Sequence, residues 1–334
     1  MHIFFGGHNS GVPLISGTEI SLRNAFINAG FKLCEKLEEA DALVLIDMEK
    51  EILEQLNTLQ NHAIPRILIR LEPSVVWPSN YSQDALTQVT KVIDVGRSNP
   101  LEGGFCAWPQ DWSQHKDYVK PVDPKNDRVA LINGNKLSFI EGEMYSLRRQ
   151  CIYGLDELDL FGVGWGLTFQ RKFLIFGAEM LLAIRNGFFP QIANARHWFK
   201  KPNNWKGAPS SKLETLSEYK YTLVIENSID FITEKLFDAF FARCIPIYVG
   251  PDLSNFNIPD ELAIQVKPDL DSIGAGLKDA RSLDYQKWKF ALENWLVLKE
   301  VQEKWSVEYA YADIVSEASR FISEQSAHTN DHKI

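Results

Sequence analysis

Tyr219-Lys220-Tyr221-Thr222-Leu223-Val224-Ile225 runs into Glu226-Asn227-Ser228, and Phe231-Ile232-Thr233-Glu234-Lys235 then leads to Ile245-Pro246-Ile247-Tyr248-Val249-Gly250. Thr222–Ile225 is a short apolar, β-branched run and predicts a strand. Thr233 suits an N-cap, Glu234 suits the first turn beside the helix dipole, and the helix should run Glu234–Phe241. Ile245–Val249 predicts a second strand. Two strands joined by a helix of this length must lie parallel, which means an α/β layer architecture.

The same rhythm extends in both directions. Upstream come strand Val129–Ile132, a helix around Glu143–Tyr153, strand Leu158–Phe161 and helix Lys172–Ile184. Downstream come strand Ala263–Val266 and helices near Ser272–Ala280, Tyr285–Lys299 and Ser306–Ser323. The first third repeats the alternation, with strands at His2–Phe5, Ala42–Ile46, Arg66–Leu71 and Val92–Val95 and helices at Thr18–Ala29 and Lys50–Leu59. Trp112–Arg128, polar and holding Pro121 and Pro124, interrupts the series as a linker. A chain of 334 residues suits two domains. The expected division is an α/β domain over 1–115, a linker over 116–127, a second α/β domain over 128–305, a helix over 306–325 and a polar tail over 326–334.

Lys and Arg number 35 against 44 Asp and Glu, a formal charge of −9. An acidic chain lacks the phosphate-neutralising charge that drives nucleic-acid binding, so no nucleic-acid partner is expected. Cys34, Cys106, Cys151 and Cys244 lack paired zinc-site spacing and read as free thiols in a reducing compartment. The start has no cationic leader with a long apolar core, and no apolar run approaches bilayer length. The expectation is a cytoplasmic protein with no transmembrane segment. Peripheral membrane contact stays open, because Arg196-His197-Trp198-Phe199-Lys200-Lys201 mixes cations with aromatics. That run reads equally as a solvated loop or as a steering patch for an anion.

Ligands of open α/β sheets bind beyond the carboxyl ends of the strands. Three such places carry chemistry. Lys235 near a helix N-terminus is explained by a bound anion, since free N–H groups and a lysine make a phosphate seat, although a plain capped helix also accounts for Thr233 and Glu234. Arg148 and Arg149 lie together on a helix, either as a solvated face or as a phosphate fork. Glu72 ends a strand within Glu72-Pro73-Ser74, where a carboxylate is solvated or serves as a base, with Asp47 and Glu19 as weaker candidates. His8, in Gly6-Gly7-His8-Asn9-Ser10-Gly11, would face the same side. Gly162-Val163-Gly164-Trp165-Gly166 has Leu167 where a dinucleotide fingerprint needs glycine, so it reads as a tight turn. Asp156-Glu157-Leu158-Asp159 and Asp269-Leu270-Asp271 have Asp-x-Asp spacing, but no metal site is assigned to them.

The run Tyr219–Ser228, Phe231–Lys235, Ala239, Ile245–Tyr248 and Gly250 resembles the donor-site signature of the α-1,3-fucosyltransferases, glycosyltransferase family 10. Arg128–Asn133, Tyr145–Arg149 and Asp159–Gly162 are similar to the opening of that family's donor domain. The resemblance implies a GT-B fold, two Rossmann-like α/β domains facing a central cleft, and metal-independent inverting transfer of fucose or a related 6-deoxyhexose from a GDP-sugar to a glycan hydroxyl. It places Glu234 on the ribose, Lys235 and Arg148 on the diphosphate with Arg149 as the alternative arginine, Asn227 on the donor, and Glu72 as the base. Phe231 departs from the family's tyrosine, a loss of one hydrogen bond worth about 0.5–1.5 kcal/mol, and leaves the donor sugar open. The sugar nucleotide is a substrate, and no cofactor is implied. Bacterial surface-polysaccharide synthesis is the setting expected. The alternatives are a transferase of another nucleotide sugar and a catalytically silent nucleotide-sugar-binding protein.

Overall fold

The computed structural model describes residues 1–8, 10, 21–59, 64–97, 106–112 and 125–331, with side chains through 326. Asn9, Gly11, Glu19, Pro121 and Pro124, the expected helix start at Thr18 and residues 116–124 of the linker 116–127 lie outside these residues. The chain divides into two compact units. One comprises Met1–Arg97, Gly103–Asp111 and Glu303–Ile334; the other comprises Ser98–Glu102 and Trp112–Gln302.

In unit 1, β1 (His2–Gly7), α1 (Leu22–Asn28), β2 (Lys32–Cys34), β3 (Ala42–Ile46), α2 (Lys50–Thr58), β4 (Arg66–Arg70), α3 (Gln83–Gln88) and β5 (Lys91–Asp94) follow in order. The strands pair in parallel in the order β2-β1-β3-β4-β5. Alternate residues of each strand serve opposite faces, as a pleated backbone requires. Val44, Ile46, Ile67 and Ile69 pack with Phe26, whereas Leu43, Leu45 and Leu68 pack with Ile52 and Leu56. Both faces are therefore dry, which explains the unbroken apolar runs.

Unit 2 holds β6 (Asn126–Ile132), α4 (Tyr145–Gly154), β7 (Leu158–Phe161), α5 (Phe169–Arg185), α6 (Lys212–Ser217), β8 (Tyr219–Ile225), α7 (Glu234–Phe241), β9 (Ile245–Val249), β10 (Ile264–Gln265), α8 (Leu270–Ser282), α9 (Tyr285–Leu296) and α10 (Lys299–Lys304). Its parallel sheet runs β10-β9-β8-β6-β7. Counted within the unit, this is the same 2-1-3-4-5 order as unit 1. Lys125 is buried at the start of β6 and donates to the carbonyls of Tyr219, Ala242 and Arg243 at 3.2, 2.8 and 2.8 Å. Burial lowers its pKa to about 8.

The final helix, α11 (Val307–Asp331), belongs to unit 1. Val307, Tyr311, Ile314, Val315, Ala318 and Ile322 enter the same core cluster as Ile3, Val44 and Phe26. The apolar stripe that begins after Ser306 thus closes one face of the first sheet. The expected helix Tyr285–Lys299 stops at Leu296, and a separate short helix begins at Lys299.

Candidate active site

In a 2-1-3-4-5 sheet the chain turns in opposite directions between the first and third strands, and a crevice opens at their carboxyl ends. In unit 2 this point lies between β6 and β8. The segment after β8 is stitched to the start of α4: the Met144 N–H donates to the Asn227 carbonyl at 3.0 Å, and Glu143 bridges Ser228. The Glu143 carboxylate accepts the Ser146 N–H at 3.0 Å and so caps α4.

Arg148, one turn into α4, is brought by this stitching to the switch point. Its Nη2 donates to the Ile225 carbonyl at 2.6 Å and to Asn227 Oδ1 at 3.0 Å. The guanidinium lies over the Tyr145 ring at 4.9 Å. Arg148 is only 3% exposed, and its buried Nε has no hydrogen-bond partner among the described residues. Burial pulls its pKa down, against the opposing pull of Tyr145, Glu226, Glu143 and Glu234. A buried cation with an unmet donor is costly, and a nearby anion would offset that cost.

Lys235 opens α7 beside the same strand end. Its Nζ donates to Thr233 Oγ1 at 2.7 Å and to Glu226 Oε2 at 3.1 Å. Glu226 is fully buried and also accepts the Thr233 N–H at 3.0 Å and the Thr233 hydroxyl at 2.8 Å. The anion that a lysine at this position demands is therefore present within the chain, and Thr233 turns its hydroxyl to Glu226 instead of capping α7. Two of the three ammonium protons are spent in this way, which leaves one for a ligand.

Glu234, beside Lys235, belongs to a second charged group. Lys212 Nζ, on α6, donates to Glu234 Oε1 at 3.1 Å and to Asp238 Oδ2 at 3.4 Å. Burial alone would raise the Glu234 pKa, but Lys235, Lys212 and its hydrogen bonds outweigh it and bring the value to about 2. For Asp238 the balance reverses. Burial and the Glu234 charge prevail over Lys212, and its pKa rises to about 6. Burial likewise opposes the charge on Lys212, yet the two carboxylates raise its pKa to about 12.

Arg149 faces elsewhere. Its Nε, Nη1 and Nη2 donate to the carbonyls of Arg196, Lys136 and Asn194, and its guanidinium lies 5.6 Å from the Trp198 ring centre. The whole fork is occupied in tying two loops together. Phe231 is 1% exposed and packs within the unit. Gly162 has φ 132, and a side chain there would collide with the Asn133 carbonyl. This close approach lets Asn133 at the end of β6 lie against the turn after β7, so the glycine turn has a packing role.

Beyond β3, Asp47 takes φ 46 and is fully buried. Its Oδ1 accepts the N–H groups of Leu71 and Glu72 at 2.9 and 3.4 Å and the Asn80 amide at 2.6 Å. Asn80 in turn accepts the Met48 N–H at 2.6 Å, and the Tyr81 hydroxyl donates to the Glu72 carbonyl at 3.3 Å. Asp47, weighed above as a weaker base, is thus committed to holding the backbone that presents Glu72. His8 stacks on Trp77 at 4.0 Å and sits 3.6 Å from Glu49.

The structure therefore brings Arg148, Asn227, Glu234 and Lys235 to one strand end of unit 2, while Phe231 packs in the interior and Arg149 is turned away to the carbonyls of Arg196, Lys136 and Asn194. Glu226, Lys212 and Asp238 carry no role in the sequence reading. Glu226 sits within the motif and its position after an apolar strand marks it. Lys212 has no sequence signal, because the turn that places it against Glu234 is not periodic.

Residues 194–305 match the family profile "Glycosyltransferase family 10 (fucosyltransferase) C-term". Among curated relatives, a 4-galactosyl-N-acetylglucosaminide 3-alpha-L-fucosyltransferase of Pongo pygmaeus is 40% identical over 93 residues, 24% of this chain and 26% of the relative. Alpha-(1,3)-fucosyltransferase 4 of Mus musculus is 47% identical over 47 residues, 13% of this chain and 11% of the relative. The chain thus spans about a quarter or less of the length of these two relatives. Of solved structures, an alpha1,3-fucosyltransferase superposes with TM-score 0.50 at 13% identity over 94% of this chain and 89% of its own. Sucrose-phosphate synthase of Thermosynechococcus elongatus superposes with TM-score 0.53 at 13% identity over 97% and 99%. At these identities the superpositions establish the architecture, two parallel α/β sheets of the GT-B kind.

Proposed function

We propose, on the premise that residues 194–305 carry the C-terminal segment of glycosyltransferase family 10, that the protein transfers fucose or a related 6-deoxyhexose from a GDP-sugar to a glycan hydroxyl with inversion. The observation that supports this most is the convergence of Lys235, inside the matching segment, and Arg148, upstream of it, on the strand end of β8. As the bond to the sugar breaks, the departing diphosphate gains charge. Arg148 already stands desolvated there with an unmet Nε, so it offers fixed positive charge without reorganisation. Lys235 supplies a second cation while Glu226 holds it in place. Glu234 accepts the ribose hydroxyls; its low pKa keeps it an acceptor at any physiological pH. These cations make a metal unnecessary to the reading.

Glu72 is assigned the base that takes the acceptor proton in an in-line displacement. Asp47 and Asn80 fix its backbone, so its reach depends on its own side chain alone. The proposed setting is the cytoplasmic side of a bacterial envelope, with a surface polysaccharide as product. Among the described residues no helix is long and apolar enough to cross a membrane.

A donor panel tests the reading. The protein is incubated with GDP-, UDP- and dTDP-sugars, with and without glycan acceptors, and nucleotide release is followed. Acceptor-dependent release of GDP with an inverted product is expected. Turnover of another nucleotide sugar alone would replace the donor; the burial of Phe231, where the resembled family has tyrosine, gives that outcome its opening. Donor binding without turnover would leave a silent binding protein.

A further inference from the structure

Helix α5 carries apolar side chains on its outer as well as its inner side. Its inner side is marked by the buried Lys172 and Ala183. At 3.6 residues per turn, Phe169, Phe173, Ile184, Leu181 and Leu174 fall on a neighbouring arc of roughly 140° in which Gln170 is the one polar residue. These five side chains are 56–71% exposed, and Phe189, just beyond the helix, is 84% exposed. A continuous apolar face of this kind on a charged protein marks a docking surface.

The charge around it is equally uneven. Residues 169–201 contain six Lys and Arg and one acid, Glu179, a net of +5 in a chain of net −9, which leaves −14 elsewhere. Lys172 is turned inward onto the Lys200 carbonyl, while Arg171, Arg185, Arg196, Lys200 and Lys201 are exposed. Arg185 and Arg171 follow directly at the edge of the apolar arc. Exposed phenylalanine and leucine flanked by cations is the composition of a helix that lies in a lipid–water interface. A two-fold contact with a second copy would set +5 against +5, which disfavours self-association through this face.

We propose that the outer face of α5, with Phe189 and the Arg196–Lys201 segment, docks on an anionic lipid surface. The apolar arc enters the headgroup layer and the cations meet lipid phosphates. The helix lies along the surface and does not span it. The proposal does not depend on the transferase reading.

The full chain is mixed with vesicles of phosphatidylcholine alone and with vesicles in which roughly one lipid in three is phosphatidylglycerol, and bound protein is measured by co-sedimentation. Binding to the anionic vesicles is expected, with little to the neutral ones and loss as salt shortens the screening length. Leu174→Ser/Leu181→Ser/Phe189→Ser should lower partition at least ~10-fold, and Lys200→Glu/Lys201→Glu, which tests the charge alone, should also lower it about 10-fold or more. Both should keep the wild-type melting temperature and GDP-sugar turnover on a soluble acceptor. Failure to bind anionic vesicles, or binding of both variants at the wild-type level, would overturn the proposal. Self-association of the wild type that the triple variant abolishes, without vesicle binding, would assign the face to a second copy instead.

Discussion

The two units share a strand order and place a fully buried carboxylate at the same topological point. Asp47 directly follows β3 and Glu226 directly follows β8, each the third strand of its sheet. Each donates its own N–H to the last or next-to-last residue of the fourth strand, Asp47 to Ile69 at 3.0 Å and Glu226 to Val249 at 2.9 Å. The partners differ. Asp47 accepts from the backbone N–H groups of Leu71 and Glu72 and from the Asn80 amide. Glu226 has Thr233 and a lysine. The same buried acid thus organises a loop in both units, but in unit 1 it positions another carboxylate, Glu72, and in unit 2 it positions a cation. One fold has been set to present opposite charges.

Removing the presented groups has the largest expected effects. Glu72→Gln should lower transfer by about 100- to 10,000-fold while GDP affinity, read by calorimetry, stays within the wild-type range. Intact transfer would remove Glu72 from the reaction. Arg148→Ala should lower transfer by about 100- to 1000-fold, and here GDP affinity should fall as well. If the two substitutions gave the same affinity profile, the division of labour between the units would be wrong.

The pinning acids come next. Asp47→Asn and Glu226→Gln should each lower thermal stability by about 1–3 kcal/mol, because hydrogen bonds to a buried acceptor are lost or weakened. They should separate on adding GDP. A diphosphate near Lys235 can replace the missing carboxylate, so nucleotide should recover more of the melting temperature of Glu226→Gln than of Asp47→Asn. Equal recovery would break the contrast between the two acids.

The smallest effect concerns Asp238. Its folded pKa, about 6, lies above the value of about 3.8 for an unfolded aspartate, so the native state holds an extra proton between those values. Stability from this group is full below the lower value and is lost as pH rises through about 6. Asp238→Asn removes that loss, so the variant should gain roughly 1–2 kcal/mol on the wild type between pH 4 and 7. A pH-independent difference in melting curves would show that Lys212 compensates the charge fully.

Much of this was readable from local pattern. Ala42–Ile46, Leu158–Phe161, Glu234–Phe241 and Ile245–Val249 have the expected bounds, because each is a strong apolar run with clear punctuation. The edge strand Lys32–Cys34 was not, since three residues show no periodicity, and α6 was missed for the same shortness. Lys235 was singled out by its clash with the helix dipole, but the sequence could not show that Glu226, nine residues earlier, answers it. Arg148 and Arg149 are indistinguishable as letters. A 100° step around α4 sends one to the carboxyl end of β8 and the other to the carbonyls of Lys136 and Asn194. Side-chain direction on a helix settles such pairs, and it depends on packing that no motif encodes.

The final helix has a consequence for synthesis. Its side chains from Val307 to Ile322 fill one face of the first sheet, so a growing chain cannot complete that core until residues through Ile322 have left the ribosome. The other unit, whose residues all precede that helix, is complete in sequence before the first core can close. The N-terminal strands must meanwhile wait with an uncovered apolar face, and that interval is where a chaperone would find this polypeptide.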